Sequence, residues 1–177
     1  MKKALVLLLA LLLAVSADVL AKDRGDAQNG GVRWRTYDQA RKEARKKKRL
    51  IMAVLHASWC GPCRIMERTT WADGKVAKLT ESAVVPVQFD VDKSQEKIPC
   101  GGMMLPPGAC ASAYWEIPGL PAFVFLDSAG DYVHQEVGLF TPEMMADFLE
   151  ALEKETPNLL RELQAWKDSV AASREGR

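Results

Sequence analysis

A central mixed β-sheet flanked by helices, an α/β domain, is what this sequence predicts. Three observations lead there. The run Leu50 to Leu55 is continuously apolar, the pattern of a strand covered on both faces. It leads directly into two cysteines two residues apart, Cys60 and Cys63, at the start of a helical pattern. Two further strand patterns joined by a short turn then precede an amphipathic helix. The 177 residues, 48% hydrophobic and 27% charged, are enough for one compact core and argue against a disordered or collagen-like chain. A formal charge of +1 gives no global reason to expect nucleic acid as a partner, so function must lie in a local site.

The elements follow in order. Met1-Lys2-Lys3, the apolar run Ala4 to Val15 and the small residues Val15-Ser16-Ala17 have the pattern of a secretory signal, expected to span 1–17 with cleavage after Ala21 as the alternative. The run is far short of the ~20 apolar residues of a spanning helix, so no transmembrane anchor is expected after cleavage. Loss of Lys2 and Lys3 leaves 22 basic against 23 acidic side chains, a formal charge of −1. An exported, periplasmic or secreted protein would keep all four cysteines where disulfides persist. Residues 18–33 read as a flexible polar lead-in, in which Arg24-Gly25-Asp26 is too short to be read as an adhesion signal.

Thr36 caps a helix with Tyr37, Ala40 and Ala44 on one face, and the basic run to Arg49 reads as its solvated side, since no aromatics are interleaved for stacking on bases. Strands are expected at Leu50–Leu55, Val84–Val91, Ala122–Leu126 and Tyr132–Val137, the last two joined as a hairpin. Thr141-Pro142-Glu143 opens a helix carrying Met145, Phe148, Leu149 and Leu152, and a separate last helix is expected after Pro157.

Two cysteines at a helix start form a small, readily reversed disulfide, and the helix amino terminus stabilises a thiolate on the first. Cys60 is therefore the candidate nucleophile and Cys63 the resolving thiol, with Gly61 and Pro62 shaping the turn. A purely structural bond over so short a loop would constrain the unfolded chain little. A structural zinc site would need a second ligand pair, and the spacing of Cys100 and Cys110 fits no common ribbon or finger; no metal and no cofactor are expected.

Trp59-Cys60-Gly61-Pro62-Cys63 and Gly119-Leu120-Pro121-Ala122-Phe123 resemble the active-site and cis-proline segments of the thioredoxin family. The resemblance spans 34–155 and implies a thioredoxin fold. It further implies a cis Pro121 beside the Cys60 sulfur and a substrate segment bound by Trp59, Gly61, Pro62 and the backbone of Leu120. The nearest likeness is to exported thioredoxin-like proteins and the carboxy-terminal domain of the membrane thiol:disulfide interchange reductase. That implies a protein-disulfide reductase acting on disulfide-bearing proteins and recharged by a membrane thiol-electron carrier. An oxidant or isomerase of secreted proteins is the alternative. A non-enzymatic binding module or copper chaperone is the alternative from another class.

The family usually carries a buried acid six residues before the first cysteine, where this chain has Val54. Its proton-relay role is left to Glu67, one turn beyond Cys63, to His56 or to water; a solvent-facing Glu67 and a merely packed His56 are the plainer readings.

The insertion 96–118 is expected to be a loop, longer than its family counterpart and rich in Gly, Pro and Met. A structural disulfide between Cys100 and Cys110 is expected, worth roughly 2–3 kcal/mol. A second exchangeable pair, or a soft Cu(I) site with Met103 and Met104, are the sharper alternatives. Tyr114 and Trp115 either line the substrate groove or lie buried under the insertion. A carboxy-terminal helix and tail, 156–177, complete the chain.

Overall fold

The computed structural model describes residues 31–175. The expected secretory signal and nearly all of the lead-in lie outside them.

Eleven elements follow one another among the described residues: α1 (Tyr37–Lys47), β1 (Leu50–His56), α2 (Gly61–Arg68), α3 (Gly74–Ala83), β2 (Val84–Asp90), β3 (Ile98–Cys100), β4 (Met103–Leu105), α4 (Pro107–Ala113), β5 (Ala122–Leu126), β6 (Tyr132–Val137) and α5 (Pro142–Glu175). The main sheet has the order β2-β1-β5-β6. β1 runs parallel to β2 and antiparallel to β5, and β5 and β6 form the antiparallel hairpin, so the sheet is mixed.

The apolar run of β1 is explained by burial on both faces. Ile51, Ala53 and Leu55 join Tyr37, Ala40 and Ala44 in one core layer. Leu50, Met52 and Val54 pack with Met66, Phe123, Phe125, Met145 and Leu149 in the other. Successive side chains point to opposite faces, and here each face has a helix layer over it.

Local signals set the helix starts. Thr36 and Gln39 form a reciprocal capping box on α1. The Asp73 side chain accepts from the N–H groups of Lys75 and Val76 at 2.8 and 2.9 Å and so starts α3, which the sequence reading did not assign. The inward stripe of α3 is Val76, Thr80 and Ala83, too weakly apolar to register as a periodic pattern.

Three expectations need correction. The ordered domain begins before residue 34. Val32 is buried, its N–H donates to the Trp71 carbonyl at 2.9 Å, and Arg33 pairs with Glu81 at 2.9 Å. The insertion is not an irregular loop: β3 and β4 form a hairpin through Gly101 and Gly102, both at positive φ, and α4 follows Pro106. Strands of three residues, one holding Pro99, carry too little pattern to be seen in sequence.

Finally, no helix starts after Pro157. α5 is a single helix from Pro142 to Glu175 with Pro157 inside it, so the boundary expected at 155–156 falls in mid-helix. Proline removes one donor at this point. The Thr156 hydroxyl donates to the Leu152 carbonyl at 2.7 Å, and burial of Leu152 and Thr156, with Leu159 and Leu160 packed on the core, carries the helix through. Further along, Lys167 Nζ bridges Asp127 Oδ2 at 2.6 Å and Asp131 Oδ2 at 2.5 Å, latching α5 to the β5–β6 turn. Among the described residues no helix is long and apolar enough to cross a membrane.

Candidate active site

β1 ends at His56, and the chain turns through Ala57, Ser58 and Trp59 into α2. Cys60 is the N-cap of that helix: its Sγ accepts from the Cys63 N–H at 3.1 Å. A thiolate at this sulfur would meet the same N–H and the positive end of the helix dipole, and both favour the charged form. Pro62 occupies the first turn, where its missing N–H costs nothing. Cys60 and Cys63 are joined as a disulfide with Cα atoms 5.3 Å apart, and both are buried. Gly61 and Pro62 lie between them at the surface.

Trp59 immediately precedes the pair in the chain and is 67% exposed, with its indole Nε1 donating to Asp92 Oδ2 at 2.7 Å. Asp92 carries no motif in the sequence that would assign it a role. The only trace of it there is the acidic end of the β2 strand. Asp90 organises this turn by accepting from the N–H groups of Asp92 and Lys93 at 3.1 and 3.2 Å. Burial pushes the Asp90 carboxyl up, but those N–H groups and the Lys93 ammonium outweigh it and hold the group below the usual aspartate range.

On the opposite wall the Leu120–Pro121 peptide is cis. Leu120 is half-buried and packs, with Val91, against the cluster of Ala57, Cys60 and Cys63. A cleft of about 360 Å³ leads to Cys63 and is lined by Val54, His56, Glu67, Trp71, Gln88 and Pro121 among others. His56 and Glu67 therefore share one cleft beside Cys63. Glu67 is exposed at its rim and accepts from Gln88 Nε2 at 3.2 Å. Val54 is fully buried there, an apolar wall with no proton to give.

The second pair, Cys100 and Cys110, is also joined, with Cα atoms 5.9 Å apart and both residues buried. This ties up the thiolates that a Cu(I) site would need, while Met103 and Met104 face solvent. Among the described residues no group of three or more His, Cys, Asp or Glu side chains is placed to hold a metal. Trp115 is buried beside Cys100 and Cys110, whereas Tyr114 is exposed; neither lines the cleft at Cys63.

A family model described as thioredoxin-like matches residues 33–128. The chain belongs to the thioredoxin-like family. Thioredoxin-1 of Drosophila melanogaster is 31% identical over 78 residues, which cover 44% of this chain and 57% of that protein. Thioredoxin H4-1 of Oryza sativa subsp. japonica is 27% identical over 127 residues, 70% of this chain and 82% of that one. The solution structure of a thioredoxin from Thermus thermophilus shares the fold, with a TM-score of 0.54 and 24% identity over 71% of this chain and 90% of the other. A disulfide-linked Cys-Gly-Pro-Cys pair at the head of α2 in this family makes the protein a thiol–disulfide oxidoreductase.

Proposed function

We propose that the protein works in the reducing direction, on disulfides of exported proteins, and is recharged by a thiol-electron carrier in the membrane. The observation that carries this reading is the wall around Cys60: a Gly61-Pro62 turn on one side and the apolar Leu120 before a cis Pro121 on the other. That combination resembles the reducing members of the family. The expected secretory signal, and the likeness to the carboxy-terminal domain of the membrane interchange reductase, supply the compartment and the donor class.

In the reduced protein the Cys60 thiolate attacks one sulfur of the substrate disulfide. The substrate S–S bond breaks, a Cys60–substrate bond forms, and the released sulfur takes up a proton. Cys63 then gives its proton to a base reached through the cleft, and its sulfur attacks Cys60 Sγ. The Cys60–Cys63 bond closes and the second substrate sulfur leaves as a thiol, so two electrons have passed to the substrate. Glu67 is assigned as the base, with His56 as its neighbour in the same cleft. The backbone of Leu120 is assigned as the edge that pairs with a substrate strand, with Trp59, Gly61 and Pro62 forming the rest of the contact surface.

The test is the reduction potential of the Cys60–Cys63 couple, followed by Trp59 fluorescence in redox buffers with Cys100 and Cys110 replaced by Ala in a parallel sample. A value near the roughly −270 mV of thioredoxin supports the reductase, and one near roughly −120 mV makes the protein an oxidant. Retained function in a Cys60→Ser protein would instead favour a binding module.

A further inference from the structure

The core layer that holds one disulfide and the buried cluster that holds the other share two partly buried neighbours. Val91 and Leu120 pack against the buried cluster of Cys60 and Cys63, and the same two residues pack against the core layer that holds Cys100 and Cys110. We propose that the insertion 96–118, closed by Cys100–Cys110, is the positioning element that sets both walls of the Cys60 site for protein substrates. This deepens the reductase reading and rests on it for the nature of the substrate.

One arm runs through α4 to Val91. A methyl group added at Gly108 would land on the Val91 carbonyl oxygen, so α4 lies against this backbone with no room for a side chain. Val91 is fixed on its other side by its N–H, which donates to the His56 carbonyl at 2.9 Å. The next residue, Asp92, holds the Trp59 indole. A displacement of α4 thus passes through two consecutive backbone positions to the residue that precedes Cys60.

The second arm leaves the other end of α4. The Trp115 N–H donates to the Cys110 carbonyl at 2.8 Å and the Ile117 N–H to the Ala111 carbonyl at 2.9 Å. Glu116 between them is held at φ 52°, in the left-handed region. This closes the end of the helix and directs the chain into Leu120 and Pro121. Cys110 sits in the middle of α4, and its bond to Cys100 ties the helix to the β3–β4 hairpin. The bond therefore holds an element connected to both walls: α4 lies against Val91, and the chain that leaves it leads into Leu120.

A protein substrate must lie across Leu120 and Trp59 together, whereas a small aromatic disulfide needs only the Cys60 sulfur. The experiment measures reduction of insulin and of 5,5′-dithiobis(2-nitrobenzoic acid) by the mature protein, its Gly108→Ala variant and its Cys100→Ala/Cys110→Ala variant, each shown to be folded by circular dichroism. The expected result is a KM for insulin raised about tenfold in both variants, with kcat and the rate with the small disulfide within about twofold of the parent. An unchanged KM in folded Gly108→Ala overturns the proposal, as does an equal loss on both substrates. Gly108→Ala keeps the second disulfide, so it decides the matter if the double variant does not fold. Failure of the parent protein to reduce insulin counts against the reductase reading alone. The same KM comparison is then made for oxidation of a reduced dithiol peptide, with the same two outcomes.

Discussion

The indole Nε1 of Trp59 donates to Oδ2 of Asp92 at 2.7 Å, joining the residue before Cys60 to the turn after β2. Both partners are near the surface, and the bond joins positions 33 residues apart. Asp92→Ala should free the indole ring, change the Trp59 emission of the oxidised protein and lower kcat/KM for insulin about fivefold, the loss of about 1 kcal/mol expected for one hydrogen bond. Asp92→Asn keeps an acceptor and should restore most of the activity. Steady-state kinetics and emission spectra of the two variants check this.

Glu67 lies in the same cleft as Cys63, with buried Val54 in the position where its relatives' pattern has an acid. Glu67→Gln keeps the shape and the contact to Gln88 but removes the base. Attack by Cys60 should be unaffected, while resolution of the mixed disulfide slows by about tenfold or more. Stopped-flow release of a fluorescent peptide from the Cys60 mixed disulfide separates the two steps. Equal resolution rates for the variant and the parent would remove Glu67 from the mechanism.

Arg35 is nearly buried between Glu43 and Glu81, at 3.1 and 2.5 Å, and Lys47 adds a second contact to Glu43 at 2.6 Å. Burial pushes the Glu43 carboxyl up, but hydrogen bonds and charge from Arg35 and Lys47 bring it down to about 2. A carboxylate whose folded value is depressed contributes stability that is present above its unfolded value. That contribution is lost as pH falls from about 4.5 to about 2. Glu43→Gln should therefore lower stability near neutral pH by about 2 kcal/mol and flatten its dependence on pH across that window. Urea unfolding of parent and variant at several pH values measures both effects.

Lys48 ends α1 in the left-handed region at φ 52°, with its N–H on the Ala44 carbonyl. A side chain with a Cβ is strained there, and glycine is the usual occupant. Lys48→Gly should stabilise the domain by about 0.5–1 kcal/mol, read as a raised thermal midpoint with unchanged insulin reduction.

Much of the site was legible because it is contiguous in sequence. A buried strand, a Cys-Gly-Pro-Cys turn and a helix start occur within Leu50–Arg68, and their geometry depends on residues only a few positions apart. Pro121 was legible through the resemblance of its segment, Gly119 to Phe123, to the cis-proline segment of the family. The hairpin of β5 and β6 and the start of α1 were equally local, carried by alternation and by the capping box. Tertiary structure decided what depends on distant partners. Asp92 meets Trp59, Gln88 meets Glu67, and Val32 meets Trp71 only after β1, β2 and α2 have been brought together. Pro157 reads as a helix breaker, because its local cost of a lost donor and a ring clash is plain in sequence. The compensation, burial of Leu152 and Thr156 together with the Lys167 latch to Asp127 and Asp131, comes from packing. The insertion followed the same rule: its two cysteines were visible at once, but α4 against Val91 exists only because the folded sheet presents that backbone to Gly108. Local propensities are encoded over a few residues, whereas the energies that override them come from surfaces the chain assembles from its whole length.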